Sequence, residues 1–153
     1  MKIKFFIILI TMMSLMLSES MLADKQDVEY YNSSNILAAD LPFSEMVRVG
    51  NILYLSGQIG AIPGTLKLAP GGIKGQAKQT MENIKSTLES HGYSMDNLVK
   101  CTVMLADISE WATFNEVYKS FFKKPYPARS AFGANGLGMG SALEVECIGA
   151  VKK

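Results

Sequence analysis

The chain is poor in the residues most often used for proton transfer and metal binding. Of its 153 residues one is histidine, His91, and two are cysteine, Cys101 and Cys147. That excludes a two-histidine acid–base mechanism and a histidine-rich metal site. An excess of charge of one sign is also missing. The formal net charge is +1, so nothing favours nucleic acid or an anionic membrane surface as a partner. The longest apolar run, Phe5 to Leu17, falls short of the roughly 20 residues that a membrane-spanning helix needs.

What is present is a core. Hydrophobic residues make up 48% of the chain, and the length fits one domain of ordinary size. The leading stretch stands apart. Lys2 and Lys4 precede the apolar run, and Ser18 and Ser20 follow it. This is the charged, apolar and small-residue order of a secretory signal peptide. Residues 1–23 are read as a cleavable signal, with cleavage after Ser20 or Ala23 and an uncleaved anchor as the alternative. Export, periplasmic or secreted, implies an oxidising compartment and no membrane attachment once the signal is removed. Residues 24–40 are polar and mixed and read as a flexible N-terminal arm.

The remainder, 41–153, changes period several times. Ser44–Val49 and Ile52–Ser56 read as two strands joined by the turn Gly50-Asn51. Pro63-Gly64 and Pro70-Gly71-Gly72 mark a loop. Ala77, Met81, Ile84 and Leu88 recur at steps of four, three and four, which predicts an amphipathic helix over 73–90, with Gly92 just past its end. His91 falls at that helix C-terminus, where partial positive charge is favoured. Asn97–Leu105 alternates as a strand. Asp107, with Glu110 three residues on, predicts a capping box ahead of a second helix. Trp111, Phe114, Val117, Tyr118 and Phe121 then form an aromatic stripe that reads as core.

Two final strands are predicted over 128–133 and 142–151. In the last, Leu143, Val145 and Cys147 share a face that packs on the helices, and Glu144 and Glu146 share the other. Cys101 and Cys147 each fall on the apolar register of a strand and read as buried thiols. A disulfide needs their Cα atoms within about 7 Å, which sequence does not show. The glycine-rich run 133–140 opens no helix and matches neither dinucleotide nor P-loop spacing. The order ββαβαββ gives an α+β domain with two helices on one face of a sheet. Ile148 and Ala150 beside the glutamates make the other face half-apolar, as in an oligomer that covers it.

Arg129 in one short strand and Glu144 in another are the residues with chemistry. A guanidinium binds a carboxylate bidentately, and a glutamate holds or activates a water. If the two strands pair, these side chains meet across a cleft.

The blocks Leu55-Ser56-Gly57-Gln58-Ile59, Trp111 to Tyr118, Pro127-Ala128-Arg129-Ser130 and Leu143-Glu144-Val145, in this order, resemble the RidA/YjgF family. Its older names include L-PSP endoribonuclease and translation initiation inhibitor. The resemblance covers Leu41 to Lys152. It implies a chorismate mutase-like fold, a mixed sheet and a homotrimer with clefts between subunits. It also implies an enamine/imine deaminase, a hydrolase acting on C–N bonds. Such an enzyme converts 2-aminoacrylate-type enamines and 2-imino acids (2-iminopropanoate, 2-iminobutanoate) to 2-oxo acids and ammonia, with no cofactor and no metal. By position, Arg129 would grip the substrate carboxylate and Glu144 would position the water. Ser56, Gly57, Asn115 and the Ala131 backbone would line the cleft, Asn115 from a neighbouring subunit. Phe43 stands where active members often carry tyrosine, so a cleft hydroxyl is missing. A non-catalytic trimer that binds small carboxylates is the alternative reading, and an endoribonuclease the third.

Overall fold

The computed structural model describes residues 27–32 and 41–151. The signal segment 1–23 lies outside the described residues. Six strands form one sheet: β1 (Val28–Tyr31), β2 (Met46–Val49), β3 (Ile52–Ile59), β4 (Leu98–Leu105), β5 (Ala128–Gly133) and β6 (Leu143–Ala150). Among the described residues two α-helices, α1 (Gly72–Ser90) and α2 (Trp111–Ser120), pack with the sheet. The spatial order is β1-β2-β3-β6-β4-β5. Only β4 and β5 run parallel; every other neighbouring pair is antiparallel.

The sheet gains a strand that the sequence does not announce. Residues 28–31, within the stretch expected to be a flexible arm, pair with β2. Side chains explain why this edge is held. The Tyr31 hydroxyl donates to the Glu29 carboxylate, Arg48 Nη1 lies 3.4 Å from Glu29 Oε1, and the His91 ring lies 4.7 Å from that of Tyr31. The bond to Glu29, then the nearby Tyr93, push the Tyr31 phenol well above its usual range.

One helix-facing layer forms the core. Ile73, Ala77, Met81, Ile84 and Leu88 of α1 are buried against Leu53, Leu55, Val103, Leu105, Leu143 and Val145 of the sheet. Burying each large side chain contributes about 1.5–3 kcal/mol. The helix stops as its sequence predicts. Gly92 takes φ 79°, the Tyr93 N–H donates to Leu88 O at 2.9 Å and the Gly92 N–H to Glu89 O at 3.2 Å. That is a Schellman closure, which a β-carbon at Gly92 would disfavour.

Two expectations need correction. Asp107 accepts from the Ser109 N–H and caps a short 3₁₀ turn, Ile108–Glu110, rather than making a box with Glu110. The Ser109 hydroxyl, then its backbone N–H, hold the Asp107 carboxyl below the usual range. Cys101 and Cys147 are joined in a disulfide, not left as thiols, with Cα atoms 4.1 Å apart. Both face the helices and stand directly opposite each other across β4 and β6, so the register brings their sulfur atoms together.

Candidate active site

Two groups of the predicted residues assemble, on opposite faces of the sheet. The first is built on β5 and α2. In the parallel pairing Arg129 stands beside Cys101, and Ala131 beside Val103. Cys101 and Val103 face the helices, so Arg129 and Ala131 do as well. The Arg129 Cζ lies 4.7 Å from the Tyr118 ring centroid, 5.6 Å from that of Phe114 and 5.9 Å from that of Trp111. Aromatic faces attract a guanidinium at these distances. Arg129 Nη2 donates to Asn115 Oδ1 at 2.6 Å. The guanidinium is thereby fixed at one edge and from below. Its other N–H groups remain available to a carboxylate. It borders a cavity of about 470 Å³ shared with Ile108, Trp111 and Ala131. Burial raises the neighbouring Tyr118 phenol, and the Arg129 charge partly opposes that.

The aromatic stripe of α2 is therefore more than core. Phe114 and Tyr118 are buried as expected, but Trp111 is 46% exposed. Its signal was available. Trp111 and Asn115 are four residues apart, which places them on one face of a helix.

The second group lies on the face away from the helices. Glu144 stands opposite Met104 on β4 and Ile59 on β3. The pairing of β3 with β6 slips between Leu55 and Gln58, and this bulge carries Ser56 and Gly57. A β-carbon at Gly57 would stand 1.9 Å from Glu144 Oε1. Only glycine lets the carboxylate lie against β3 here. Ser56 Oγ donates to the Ser44 carbonyl at 2.6 Å, which ties the segment carrying Phe43 to the bulge. Phe43 itself is 46% exposed. A cavity of about 460 Å³ on this face includes Tyr54, Ser56, Gly57, Lys100 and Glu146 among its walls.

Arg129 and Glu144 thus do not meet within one chain. The two strands do not pair, because β4 lies between β5 and β6, and the two side chains project from opposite faces. Asn115 lies against the arginine of its own chain, whereas the resemblance implies that it reaches the cleft from a neighbouring subunit. A wider groove of about 900 Å³ between α1 and α2 carries both signs of charge, including Lys74, Lys85, Glu89 and Glu116, and holds none of these residues. Among the described residues no cluster of three or more His, Cys, Asp or Glu could hold a metal ion.

A mixed six-stranded sheet with two helices on one face is the α+β architecture that the resemblance implies, with an arginine seated on aromatic rings and a carboxylate on the far face. Comparison with known proteins narrows this. A sequence model of the family described as Endoribonuclease L-PSP matches residues 33–151. The mouse 2-iminobutanoate/2-iminopropanoate deaminase is 41% identical over 111 residues, covering 72% of this chain and 82% of its own. The crystal structure of RidA from the Antarctic bacterium Psychrobacter sp. PAMC 21119 superposes with a TM-score of 0.75 at 39% identity, covering 80% of this chain and 99% of that one. E. coli TdcF with bound serine superposes at 0.75 and 31% identity, covering 81% and 99%. The chain belongs to the RidA/YjgF family.

Proposed function

We propose that the protein is an imine deaminase that hydrolyses 2-aminoacrylate-type enamines and 2-imino acids to 2-oxo acids and ammonia. The observation that carries the reading is the fixed guanidinium of Arg129, held by Asn115 beside an open cavity. The mouse relative is named for this activity, and TdcF binds serine, a small carboxylate.

The chemistry asks little of the protein. Once protonated on nitrogen, the imine carbon is electrophilic. Water adds, its proton passes to a base, and a tetrahedral carbinolamine forms. The base returns that proton to the nitrogen, which leaves as ammonia, and the carbinol hydroxyl gives up its proton as the oxygen becomes the 2-oxo group. Arg129 grips the carboxylate with paired charge-assisted bonds. Glu144 holds the water and takes its proton. Gly57 leaves space for that carboxylate, and Ser56 fixes the loop bearing Phe43.

Because the two groups occupy opposite faces, a complete site takes Arg129, Asn115 and Ala131 from one chain and Ser56, Gly57 and Glu144 from a neighbour. A homotrimer supplies three such clefts by heterologous contact around a closed ring. The exposed apolar side chains Tyr30, Tyr54 and Ile148 on the helix-free face support an assembly that covers it. The protein acts after export, in a periplasmic or secreted setting. The disulfide between Cys101 and Cys147 is the kind of bond that persists there.

Phe43 favours a second reading, a trimer that binds small carboxylates without turnover. One missing hydrogen bond has a net effect of about 0.5–1.5 kcal/mol, which alters rate or preference before it abolishes activity. The test is competition with semicarbazide for 2-aminoacrylate generated in place by a serine dehydratase. Wild type should compete, and Arg129→Ala should not. Equal behaviour of the two, with the oligomer intact, would leave the binding reading.

A further inference from the structure

We propose that Trp111 and Ile108 form a side-chain wall that selects 2-imino acids with large apolar side chains; the inference rests on the deaminase reading. The two residues are 46% and 51% exposed, yet both border the cavity that holds Arg129. An exposed indole and an exposed sec-butyl group beside a fixed cation offer one charged anchor and one apolar surface. That is the pattern of a pocket for an amphipathic small molecule.

The wall is rigidly mounted. Ile108 opens a 3₁₀ turn whose cap is the Asp107 carboxylate, accepting from the Ser109 N–H. A β-carbon at Gly133 would meet Ile108 Cβ at 3.4 Å, an ordinary contact distance, so the end of β5 lies behind it. Trp111 begins α2, one turn before the Asn115 that holds Arg129. Ala131 contributes only a methyl group to the same cavity, leaving its floor low.

Geometry of the substrate does the rest. In a 2-imino acid the side chain and the carboxylate are both attached to the imine carbon. With the carboxylate on Arg129, the side chain extends along the adjoining wall. With Ser56, Gly57 and Glu144 of a neighbour closing the cleft, the indole and the sec-butyl group are the apolar surfaces that this chain sets beside Arg129. β-Elimination from serine or threonine yields only methyl and ethyl side chains, which would leave most of this wall uncovered.

The test uses a D-amino acid oxidase with catalase to make achiral imines in place from D-alanine, D-leucine, D-methionine and D-phenylalanine. Competition with semicarbazide gives relative kcat/KM for each. In wild type the leucine-, methionine- and phenylalanine-derived imines should be preferred over the alanine-derived one. Trp111→Ala should lower that ratio about tenfold or more, the scale set by methylene-sized contacts in an apolar pocket. The alanine-derived imine is the internal control, since disturbance of Arg129 lowers all rates together and leaves the ratio alone. Should Trp111→Ala fail to assemble by light scattering, Ile108→Ala carries the test, because it leaves the rings over Arg129 in place. A ratio unchanged within twofold, with the alanine-derived imine still turned over, overturns the wall and leaves the deaminase standing. Absence of turnover of every imine by wild type overturns both.

Discussion

Gly57→Ala separates the proposed chemistry from the fold. The added β-carbon would sit 1.9 Å from Glu144 Oε1, 2.8 Å from its Cδ and 3.1 Å from its Cγ, where 3.0 Å is about the closest that real β-carbons come. The carboxylate oxygen must therefore retreat by about 1.1 Å, the difference between 3.0 and 1.9 Å. Glu144 is a flexible side chain on the helix-free face, so it can swing aside with little cost to the core. Gly57 has no positive φ, so alanine adds no backbone strain there and slightly restricts the unfolded chain. Stability should stay within about 1 kcal/mol of wild type. Catalysis should not. Displacing a catalytic group by about 1 Å costs on the order of 100-fold in rate, or about 2.7 kcal/mol in the barrier. The assay is imine turnover against semicarbazide, paired with a thermal melt. A kcat within threefold of wild type would refute the assignment of Glu144 as the water-holding group. A large fall in Tm would refute the argument that the carboxylate is free to move.

Asn115→Asp places a carboxylate where Asn115 Oδ1 now lies 2.6 Å from Arg129 Nη2. It should pair with the guanidinium, repel the substrate carboxylate and raise KM about tenfold or more, while Asn115→Ala has the smaller effect expected from losing one bond to a charged group; steady-state kinetics on both variants check this. Replacing Cys101 and Cys147 together by serine removes a cross-link spanning 46 residues. The chain-entropy relation gives about 4 kcal/mol for a loop of that size, so Tm should fall by about 10 °C or more, and thiol titration of denatured wild type without reductant should find no free thiol.

Local signals carried much of the architecture. The four-three-four spacing of Ala77, Met81, Ile84 and Leu88 fixes the buried face of α1, and Gly92 supplies the positive φ on which the helix ends. The parity of β6 was readable as well: Leu143, Val145 and Cys147 are buried, and Glu144 faces away. What could not be read was the order of strands. Nothing local places β4 between β5 and β6, yet that placement separates Arg129 from Glu144. The parallel register that seats Arg129 beside Cys101 is likewise set by a crossover through α2. It turns the arginine towards the aromatic stripe that the sequence read only as core. Tyr31 was missed for a related reason. Its strand is held by Glu29, Arg48, Tyr93 and His91, partners scattered along the chain. The disulfide follows from register too, since the two cysteines stand opposite each other only once β4 and β6 align.

The division of the site between two faces yields its own direct test. Arg129→Ala and Glu144→Gln should each be inactive, because every cleft then lacks either its grip or its base. Mixing the two variants under conditions that exchange subunits should restore activity, since some clefts pair an intact Arg129 from one chain with an intact Glu144 from its neighbour. For an equal mixture about one cleft in four is complete, so about a quarter of wild-type turnover should return. A mixture as inactive as its parents, with mixed oligomers demonstrated by mass, would contradict a site shared between chains.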